Sequence, residues 1–575
     1  MPLPERHQEA TATRSHKRLI QIAIFTAIIL ILALTPPLIN VNRLRRRIAT
    51  SMSQSLGRPV HLDRVSIHLL PIPGFTLENL VVSEDPSFGY EPVIRANRVI
   101  ATLRVSSLWR RQVEFSTIRF DVDQYGSGPS LNIVRNAAGH WNLEQILTQA
   151  AHANTAPTQQ SKAGPAPRFP YIEATGARVN LKFGDEKMPF SLTDADFALW
   201  LPQPDQWHVR LQGRPARTDT NASDTGLLRL EGILQRAAKM SEVPVDLRAS
   251  WNGTPLGEAS RLVTGSDMGW RGFADSSATL TGTLGNAQLT TSLHLADLRR
   301  ADFIPFKSLD VIIDCKSQAD VTAAVLHDPT CTADDGKLTA IADTLTFTAA
   351  PQGLRIGTAK TPITYFLDWA RLFSPDIPAT LNGQGDLSGS ITYSGPPDPT
   401  PGFSGQAQGT LLGRLPTDTP ATGNRQPNAP TPGFTTHPFG LIVTPNEVSL
   451  AAVDLAPPNR PPLTLTGSAT PSGYALHLLG TATSGQVRQL AALMPPFAAG
   501  LDTVLPFAAL GDPALLPPAA HASAPPQPTQ SATHFDITCT RVWSTGQTCS
   551  TALPPESKLR KQLPPPLHRP KLGRR

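Results

Sequence analysis

The sequence predicts a mainly β protein with a few short helices, and three observations support this. Short stretches of alternating apolar and polar residues recur along most of the chain after residue 57. Proline (57 residues) and glycine (41) together make up about a sixth of the 575 residues, which favours many short strands joined by turns. Few stretches show the three- and four-residue spacing of an amphipathic helix. We expect an N-terminal transmembrane helix followed by a large antiparallel β-sheet built from repeated short strands.

The predicted transmembrane helix is a signal-anchor at residues 19–41, preceded by an N-terminal segment at 1–18. Leu19–Leu34 contains no charged residue, and its continuation gives about 20 residues, enough to cross the hydrocarbon core of a bilayer. Pro36 and Pro37 follow the best candidate cleavage site, so we expect the segment to be retained. Basic residues flank both ends, so charge alone leaves the orientation open.

A second helix is predicted from Leu38 to Leu56, because apolar residues recur there at helical spacing and Gly57 supplies a stop. Its other side is basic. This helix either lies against anionic headgroups or plugs the end of a sheet, or it packs on its own domain. The candidate lipid-headgroup contacts are the four arginines of this segment: Arg43, Arg45, Arg46 and Arg47.

The net charge of +6 is unevenly distributed along the chain. Residues 1–58 hold nine Lys and Arg against two acidic residues, and residues 551–575 hold seven against one. The remainder has 35 basic and 42 acidic residues. A nucleic-acid-binding protein needs a basic surface on its folded part, so we expect no nucleic-acid partner.

The chain after the transmembrane segment divides into four parts. Residues 42–149 form a module of the amphipathic helix and β hairpins, with a hairpin turn at Pro71–Gly74. Residues 150–168 are a linker rich in Ala, Thr, Gln and Pro, residues 169–510 a repetitive β body, and residues 511–575 a Pro-rich, largely disordered basic tail. The helices predicted within the body are Leu256–Val263, Thr364–Phe373 and Gly485–Met494.

A search for catalytic motifs in the sequence predicts no enzyme. No GxSxG, Walker A loop, GxGxxG, HExxH or paired-cysteine metal motif is present, so no catalytic residue, metal or cofactor is expected. Asp194 and Asp196 are close together, but strand residues two positions apart share a solvent-facing side. The four cysteines form two sequence pairs that are candidate disulfides or buried free thiols: Cys315 with Cys331, and Cys539 with Cys549.

Several sequence blocks resemble the N-terminal module of the AsmA family over about residues 19–150. The resemblance implies a Gram-negative inner-membrane protein, single-pass, with a cytoplasmic N-terminus at residues 1–18 and the bulk of the chain in the periplasm. The family is similar to TamB-type proteins and, more distantly, to chorein-type lipid bridge proteins, whose sheets curl into an apolar groove that conducts phospholipid. This likeness implies that the antiparallel sheet here is elongated and curled into a β-groove. The blocks that follow the membrane segment are LGRPV (56–60), LLPIPGFTLENLVVSED (69–85), FGYEPVIRANRVIATL (88–103), SLWRRQVEF (107–115) and GHWNLEQIL (139–147).

The function expected from the resemblance and the strand pattern is support of outer-membrane biogenesis. We expect a membrane-anchored periplasmic protein that holds or transfers phospholipid in an apolar β-groove between the inner and outer membranes. An antiparallel sheet with one apolar face must cover that face, and an apolar ligand is one cover. The alternative is a periplasmic scaffold or assembly factor for outer-membrane proteins that transfers no lipid. Expected partners are the inner membrane, phospholipid and outer-membrane or periplasmic proteins.

Overall fold

A computed structural model describes most of the chain between residue 41 and residue 551 and a short stretch before it. The described residues are 20–21, 23–27, 41–69, 72–108, 115–144, 170–184, 186–203, 205–305, 307–346, 350–373, 383–396, 398, 401–414, 433–436, 438–456, 462–482, 487, 533–542 and 546–551.

The chain forms two compact units, and each is described by itself. Unit 1 comprises Met1–Leu298, Asp310–Thr330 and Thr344–Ala349, and unit 2 comprises Arg299–Leu309, Cys331–Asp343 and Ala350–Arg575. The mainly β composition is confirmed, because the described residues contain 29 strands and few short helices. The helices are α1 (Val41–Leu56), α2 (Val105–Leu108), α3 (Leu256–Thr264) and α4 (Ile363–Phe373), together with a 3₁₀ turn at Met240–Glu242.

The strands are numbered β1 to β29 in chain order. The first seventeen are β1 (Val60–His61), β2 (Arg64–His68), β3 (Gly74–Val82), β4 (Ile94–Leu103), β5 (Phe115–Asp121), β6 (Ser130–Arg135), β7 (Tyr171–Phe183), β8 (Glu186–Gln203), β9 (Gln206–Arg217), β10 (Leu227–Gln235), β11 (Pro244–Pro255), β12 (Trp270–Thr283), β13 (Asn286–Arg300), β14 (Leu309–Asp320), β15 (Val325–Ala333), β16 (Leu338–Ile341) and β17 (Thr344–Thr346). The remaining twelve are β18 (Arg355–Pro362), β19 (Gly383–Gln384), β20 (Asp386–Ser394), β21 (Gly402–Gly409), β22 (Leu412–Arg414), β23 (Gly433–Thr436), β24 (Phe439–Thr444), β25 (Glu447–Ala456), β26 (Leu463–Thr470), β27 (Gly473–Ala482), β28 (Thr533–Val542) and β29 (Gly546–Thr551).

Helix α1 packs on the first strands of unit 1, as one of the two sequence interpretations predicted. Its apolar side chains Ile48, Met52 and Leu56 lie against a buried cluster from β2, β3 and β4. Gly57 ends the helix in the left-handed region with φ 64°, where a residue without a Cβ is favoured.

The first two strands, β1 and β2, are separated by Leu62 and Asp63. Both strands pair with β3, which bulges between them at Asn79, a residue with φ 52°. The Asn79 side-chain amide donates to the Asp63 carboxylate at 2.5 Å, which fixes the bulge. The bulge interrupts the alternation of side chains between the two faces of the sheet along β3.

Unit 1 continues as one series of neighbouring strands from β2 to β12. Strands β2, β3, β4 and β5 pair antiparallel in order, and β7 then pairs parallel with both β5 and β6. From β7 to β12 every neighbour in the chain is an antiparallel neighbour in the sheet. The predicted N-terminal module and the first part of the β body therefore share one sheet.

At three places in unit 1 a residue at positive φ donates its backbone N–H to an aspartate on another strand, and the first two of these places are bulges. The donor–acceptor pairs are Gly176 with Asp196 (3.1 Å), Gly253 with Asp275 (2.7 Å), and Asp297 with Asp310 (3.0 Å). Bulges bend strands and increase their twist, so these contacts set the local bending of the sheet. Asp196 also accepts from Gln212 at 3.1 Å.

Unit 2 is a second antiparallel series. Strand β18 pairs with β16 and β20, and the series continues through β21, β24, β25, β26, β27, β28 and β29. Its core includes Leu463, Leu478, Phe535 and Ile537, each at most 1% exposed. Helix α4 confirms the prediction at Thr364–Phe373, as α3 does at Leu256–Val263 in unit 1.

The predicted signal-anchor at 19–41 lies mostly outside the described residues. Within it, residues 20–21 and 23–27 are helical, and Ile20, Ile24 and Phe25 are more than half exposed. Within the part of the chain that the structure describes, no helix combines the length and the apolar character that a membrane crossing requires. The predicted helix at Gly485–Met494, apart from residue 487, also lies outside the described residues.

Candidate functional site

The candidate site is the face of the unit 1 sheet on which apolar side chains follow one another from strand to strand. Directly opposed residues on neighbouring strands point to the same face. The ladder registers therefore define a first row of ten apolar residues, one from each of β2, β3, β4, β5 and β7 to β12. The row is Val65, Leu77, Val99, Phe120, Ala174, Phe197, Leu211, Leu230, Ala249 and Ala278.

A second row runs beside the first, two residues away along each strand. It is apolar throughout and contains one glycine on β10. Its members are Ile67, Phe75, Ala101, Ile118, Ile172, Leu199, Val209, Gly232, Leu247 and Leu280. We refer to these two rows and the face that carries them as the apolar face.

The apolar face is covered at one end and partly open beyond it. Under α1, Val65 is 1% exposed, Leu77 5% and Val99 1%. From β5 onward the members of both rows, such as Phe197 and Leu230, are only partly buried. Apolar side chains that stay in contact with water are a source of binding free energy, about 25 cal/mol for each Å² that a ligand removes from water.

The opposite face of the same strands carries charges. Across β5 to β11 the opposed residues are Arg119, Glu173, Ala198, Arg210, Glu231 and Arg248. Arg119 and Glu173 form an ion pair, and Arg119 is also within 3.9 Å of Asp121. Opposite charges on neighbouring strands suit a face in water. The sheet is therefore amphipathic over these six strands, in which the buried Ala198 is the one uncharged member of the opposite row.

Two short elements stand at the two ends of strands β9 to β12 on the apolar face. At one end, Met240 of the 3₁₀ turn packs against Val243, Val245 and Leu284. At the other end lies α3, whose Leu256 and Leu262 are buried. The stretch of the apolar face between these elements belongs to β9, β10, β11 and β12.

Arg217, at the end of β9, fastens α3 to the sheet. Its Nη1 donates to the carbonyl oxygens of Leu262 and Val263, both at 2.9 Å, which satisfies the carboxyl end of the helix. Its Nε and Nη2 donate to the two carboxylate oxygens of Asp219, at 2.6 and 3.1 Å, and its guanidinium lies 5.5 Å from the Phe190 ring centroid. The hydrogen bonds from Arg217 hold the pKa of Asp219 below its usual value.

A buried polar network lies where the N-terminal sequence blocks meet. Arg58, which is 5% exposed, lies 3.4 Å from the carboxylate of Glu84 and 2.9 Å from that of Asp85. Glu84, whose side chain is 1% exposed, also accepts from the side-chain amide of Asn142 at 2.6 Å. The blocks LGRPV, LENLVVSED and GHWNLEQIL each contribute to this network, so their role in this structure is to join the strands of the module.

The same network reaches β7 through two buried polar side chains. Asn180 donates to the side-chain oxygen of Asn132 at 3.0 Å, and Asn132 donates to the Pro92 carbonyl at 2.7 Å. Lys182, which is 4% exposed, forms an ion pair with Glu91 at 2.5 Å. Buried polar groups require such partners, and these contacts fix β7 beside the first module.

Low pH should reduce the stability of this region, because the pKa values of two of its carboxylates lie below their usual values. Hydrogen bonds from Ser87, and then from Arg58, lower the pKa of Asp85, and the hydrogen bond from Lys182 lowers the pKa of Glu91. A carboxyl group with a lowered pKa in the folded state adds stability above its unfolded pKa of about 4 and loses it as the pH falls toward the folded value.

We therefore expect the urea midpoint of unit 1 to be constant from pH 7 to about 5 and to fall below about pH 4. Equilibrium unfolding at several pH values measures this. The Glu91→Gln variant should be less stable than wild type at pH 7 and should lose less stability on acidification. An equal loss of stability on acidification in both proteins would contradict a contribution of Glu91 to the pH dependence.

The four candidate headgroup arginines all lie on α1 in its first two turns. Arg46 and Arg47 are exposed, whereas Arg45 is partly buried and donates to the Asp63 carbonyl at 2.8 Å. The side chain of Arg43 lies outside the described part. Two arginines on the exposed side of the helix are thus available to an anionic surface.

The candidate cysteines are all disulfide-bonded. Cys539 and Cys549 are joined across β28 and β29, ten residues apart in sequence, and Cys315 and Cys331 are also bonded. Cys539 is fully buried at the end of an apolar row in unit 2. That row consists of Ala407, Leu441, Leu450, Gly467, Leu476, Cys539 and Cys549.

The described residues contain no group of three or more His, Cys, Asp or Glu side chains placed to hold a metal ion. Asp194 and Asp196, singled out in the sequence, lie at a bulge of β8, where Asp194 has φ 49°. Asp196 is occupied by its hydrogen bonds to Gly176 and Gln212. The two aspartates therefore belong to the bulge that bends β8.

The sequence interpretation missed the buried network and the extent of the two rows. The Glu84-Asp85 pair follows a strand and precedes a proline, which is typical of an exposed turn. The signal that could have identified the rows is the apolar alternation of each strand, but their continuity depends on register, which sequence spacing leaves undefined.

Unit 1 is thus a mostly antiparallel sheet with two apolar rows over ten strands, charged residues opposite them from β5 to β11, and an amphipathic helix packed at its start. A family model described as the AsmA family matches residues 15–192. The match confirms the resemblance over about the first third of the chain, and this likeness is consistent with a protein of the bacterial envelope. Neither the comparison with curated proteins nor that with solved structures gave a match.

Proposed function

We propose that the chain is a membrane-anchored envelope protein that holds or transfers phospholipid on the apolar face, by passive contact and without catalysis. The observation that supports this best is the pair of apolar rows that cross ten strands. Helix α1 covers the rows at their first strands, and from β5 onward their side chains are partly exposed. Soluble proteins rarely expose a large contiguous apolar surface unless that surface binds a ligand or a partner. The two partly exposed rows therefore indicate a binding surface.

The dimensions of the rows suit hydrocarbon chains. Neighbouring strands are about 4.8 Å apart, so ten strands extend a row to about 43 Å. One leaflet of a bilayer has a hydrocarbon thickness of about 15 Å, half of the whole core. The apolar face is therefore long enough for acyl chains of more than one lipid in succession. The charged opposite face keeps the other side of the sheet in water.

The proposed location is the inner membrane of a Gram-negative bacterium, with one crossing and most of the chain in the periplasm. The apolar segment 19–41 and the AsmA family match support it. Helix α1 follows this segment directly and exposes Arg46 and Arg47, which suits anionic headgroups at the bilayer surface. Lipid would then enter the apolar face next to α1.

Lipid analysis of the purified full-length chain tests this function. We expect at least one phospholipid per chain to be retained beyond the amount kept by a control fusion of residues 1–41 to an unrelated β domain. Equal lipid in both would refute the proposal. Loss of the gene that impairs outer-membrane protein insertion while lipid distribution stays unchanged would favour the scaffold alternative.

A further inference from the structure

A cavity of about 370 Å³ opens between α3 and the apolar face. Its floor includes Leu228, Trp251 and Ala278, and its wall includes Leu262 and Val263 of α3. Ala278 is the last member of the first apolar row, so the cavity lies at the end of that row, beside the helix. The small side chains of Ala249, Ser276 and Ala278 line the cavity beside the larger Leu228 and Trp251.

The lining excludes a charged ligand group. None of the residues that line the cavity is charged, and the indole Nε1 of Trp251 already donates to the Thr225 carbonyl at 2.7 Å. Ser276 adds a hydroxyl, and the remaining polar lining residue, Ser250, belongs to the other side of β11 by register. A headgroup placed here would lose its water and find few partners, which disfavours it.

The charged side chains near α3 are already paired with one another. Arg217 binds Asp219 and the carboxyl end of the helix. Arg261 lies 3.1 Å from Glu258, and Arg271 lies 3.1 Å from Asp267. These pairs leave the cavity electrically neutral at its border, which matches a neutral apolar occupant.

We infer that the cavity binds the terminal part of one acyl chain of the lipid, with α3 as the wall that holds it against the strands. This inference rests on the proposed function and assigns one place on the apolar face to one part of the ligand. A water molecule takes about 30 Å³ in the liquid and a methylene group is of similar size, so the cavity accommodates about twelve methylenes. An unbranched chain suits a space between a helix and an apolar sheet face that both large and small side chains line.

A photoreactive lipid tests this assignment. The full-length protein is incorporated in vesicles that contain phosphatidylethanolamine with a diazirine at the end of one acyl chain, and adducts are located by proteolysis and mass spectrometry. We expect adducts on α3 and on the floor of the cavity. A second probe, with the diazirine next to the glycerol ester, should label these residues at least fivefold less.

Two variants of β12 make the test specific. Ala278→Trp fills the cavity and should lower labelling of α3 at least fivefold, while adducts on the strands of the two rows remain. Thr279→Trp places the same side chain on the opposite face and should leave labelling unchanged. Adducts on the rows of the wild-type protein but none at the cavity would overturn the inference and leave the proposed function standing. Adducts at neither place would overturn both.

Discussion

A Leu230→Asp variant is expected to retain at least tenfold less phospholipid than the wild-type protein. Leu230 lies near the centre of β10 and between Leu211 and Ala249 in the first apolar row. A carboxylate at this position would have to contact hydrocarbon without a partner, at a cost of several kcal/mol, and about 1.4 kcal/mol already corresponds to a factor of ten. Lipid extraction and mass spectrometry of the purified full-length variant measure the effect.

Ile233→Asp is the matched control for this substitution. Ile233 lies on the same strand and is also partly buried, but it faces the other side, opposite His208 and Asp246. Its replacement should leave lipid retention within twofold of wild type. Hydrogen exchange of β10 should be alike in the two variants. Equal lipid loss in both would contradict a role for the apolar face in particular.

Replacement of Arg58 by Met is expected to lower the stability of the first strands of unit 1 by about 3–5 kcal/mol, because it removes one partner of a buried ion pair. Glu84 would keep its charge while 1% exposed, with the side-chain amide of Asn142 and the backbone N–H of Asp85 as neutral donors in place of the guanidinium. Native-state hydrogen exchange of peptides from β3 and β4 measures the change in the full-length protein. Their exchange should accelerate by about two to four orders of magnitude.

Arg64→Met provides the comparison within the same module. Arg64 is 74% exposed and lies 3.8 Å from Glu78, so its loss should cost no more than about 1 kcal/mol. The double variant Arg58→Met with Glu84→Gln removes both charges and keeps an acceptor for Asn142, so it should recover part of the lost protection. Equal effects of Arg58→Met and Arg64→Met would show that the buried network is not what joins these strands.

The spacing of apolar residues predicted a helix or strand correctly where a single period, helical or alternating, extends through the whole segment. The amphipathic spacing through Leu56 with Gly57 after it gave α1, and the stretch at Thr364–Phe373 gave α4. The Pro71–Gly74 turn gave the hairpin of β2 and β3. In each case the residues that determine the element are neighbours in sequence, so the information is local.

Contacts between distant residues could not be predicted in this way. The bulge at Asn79 depends on Asp63, and the parallel pairing of β7 with β5 and β6 joins strands on either side of the 150–168 linker. Likewise, the place of Arg58 in a buried network depends on Glu84 and Asn142. An isolated arginine after a helix gives no sign of its eventual partner, because burial of a charge follows from the tertiary fold.

Photocrosslinking at alternate positions along the strands tests the central claim most directly. A photoreactive amino acid is placed in the full-length protein in its native membranes at Phe120, Leu211 or Leu230 on the apolar face. The matched positions on the charged face are Arg119, Arg210 and Glu231, each exposed and one residue away from its counterpart. Our account predicts phospholipid adducts at the first three positions and at none of the second three. Adducts on both faces alike, or on neither, would contradict it.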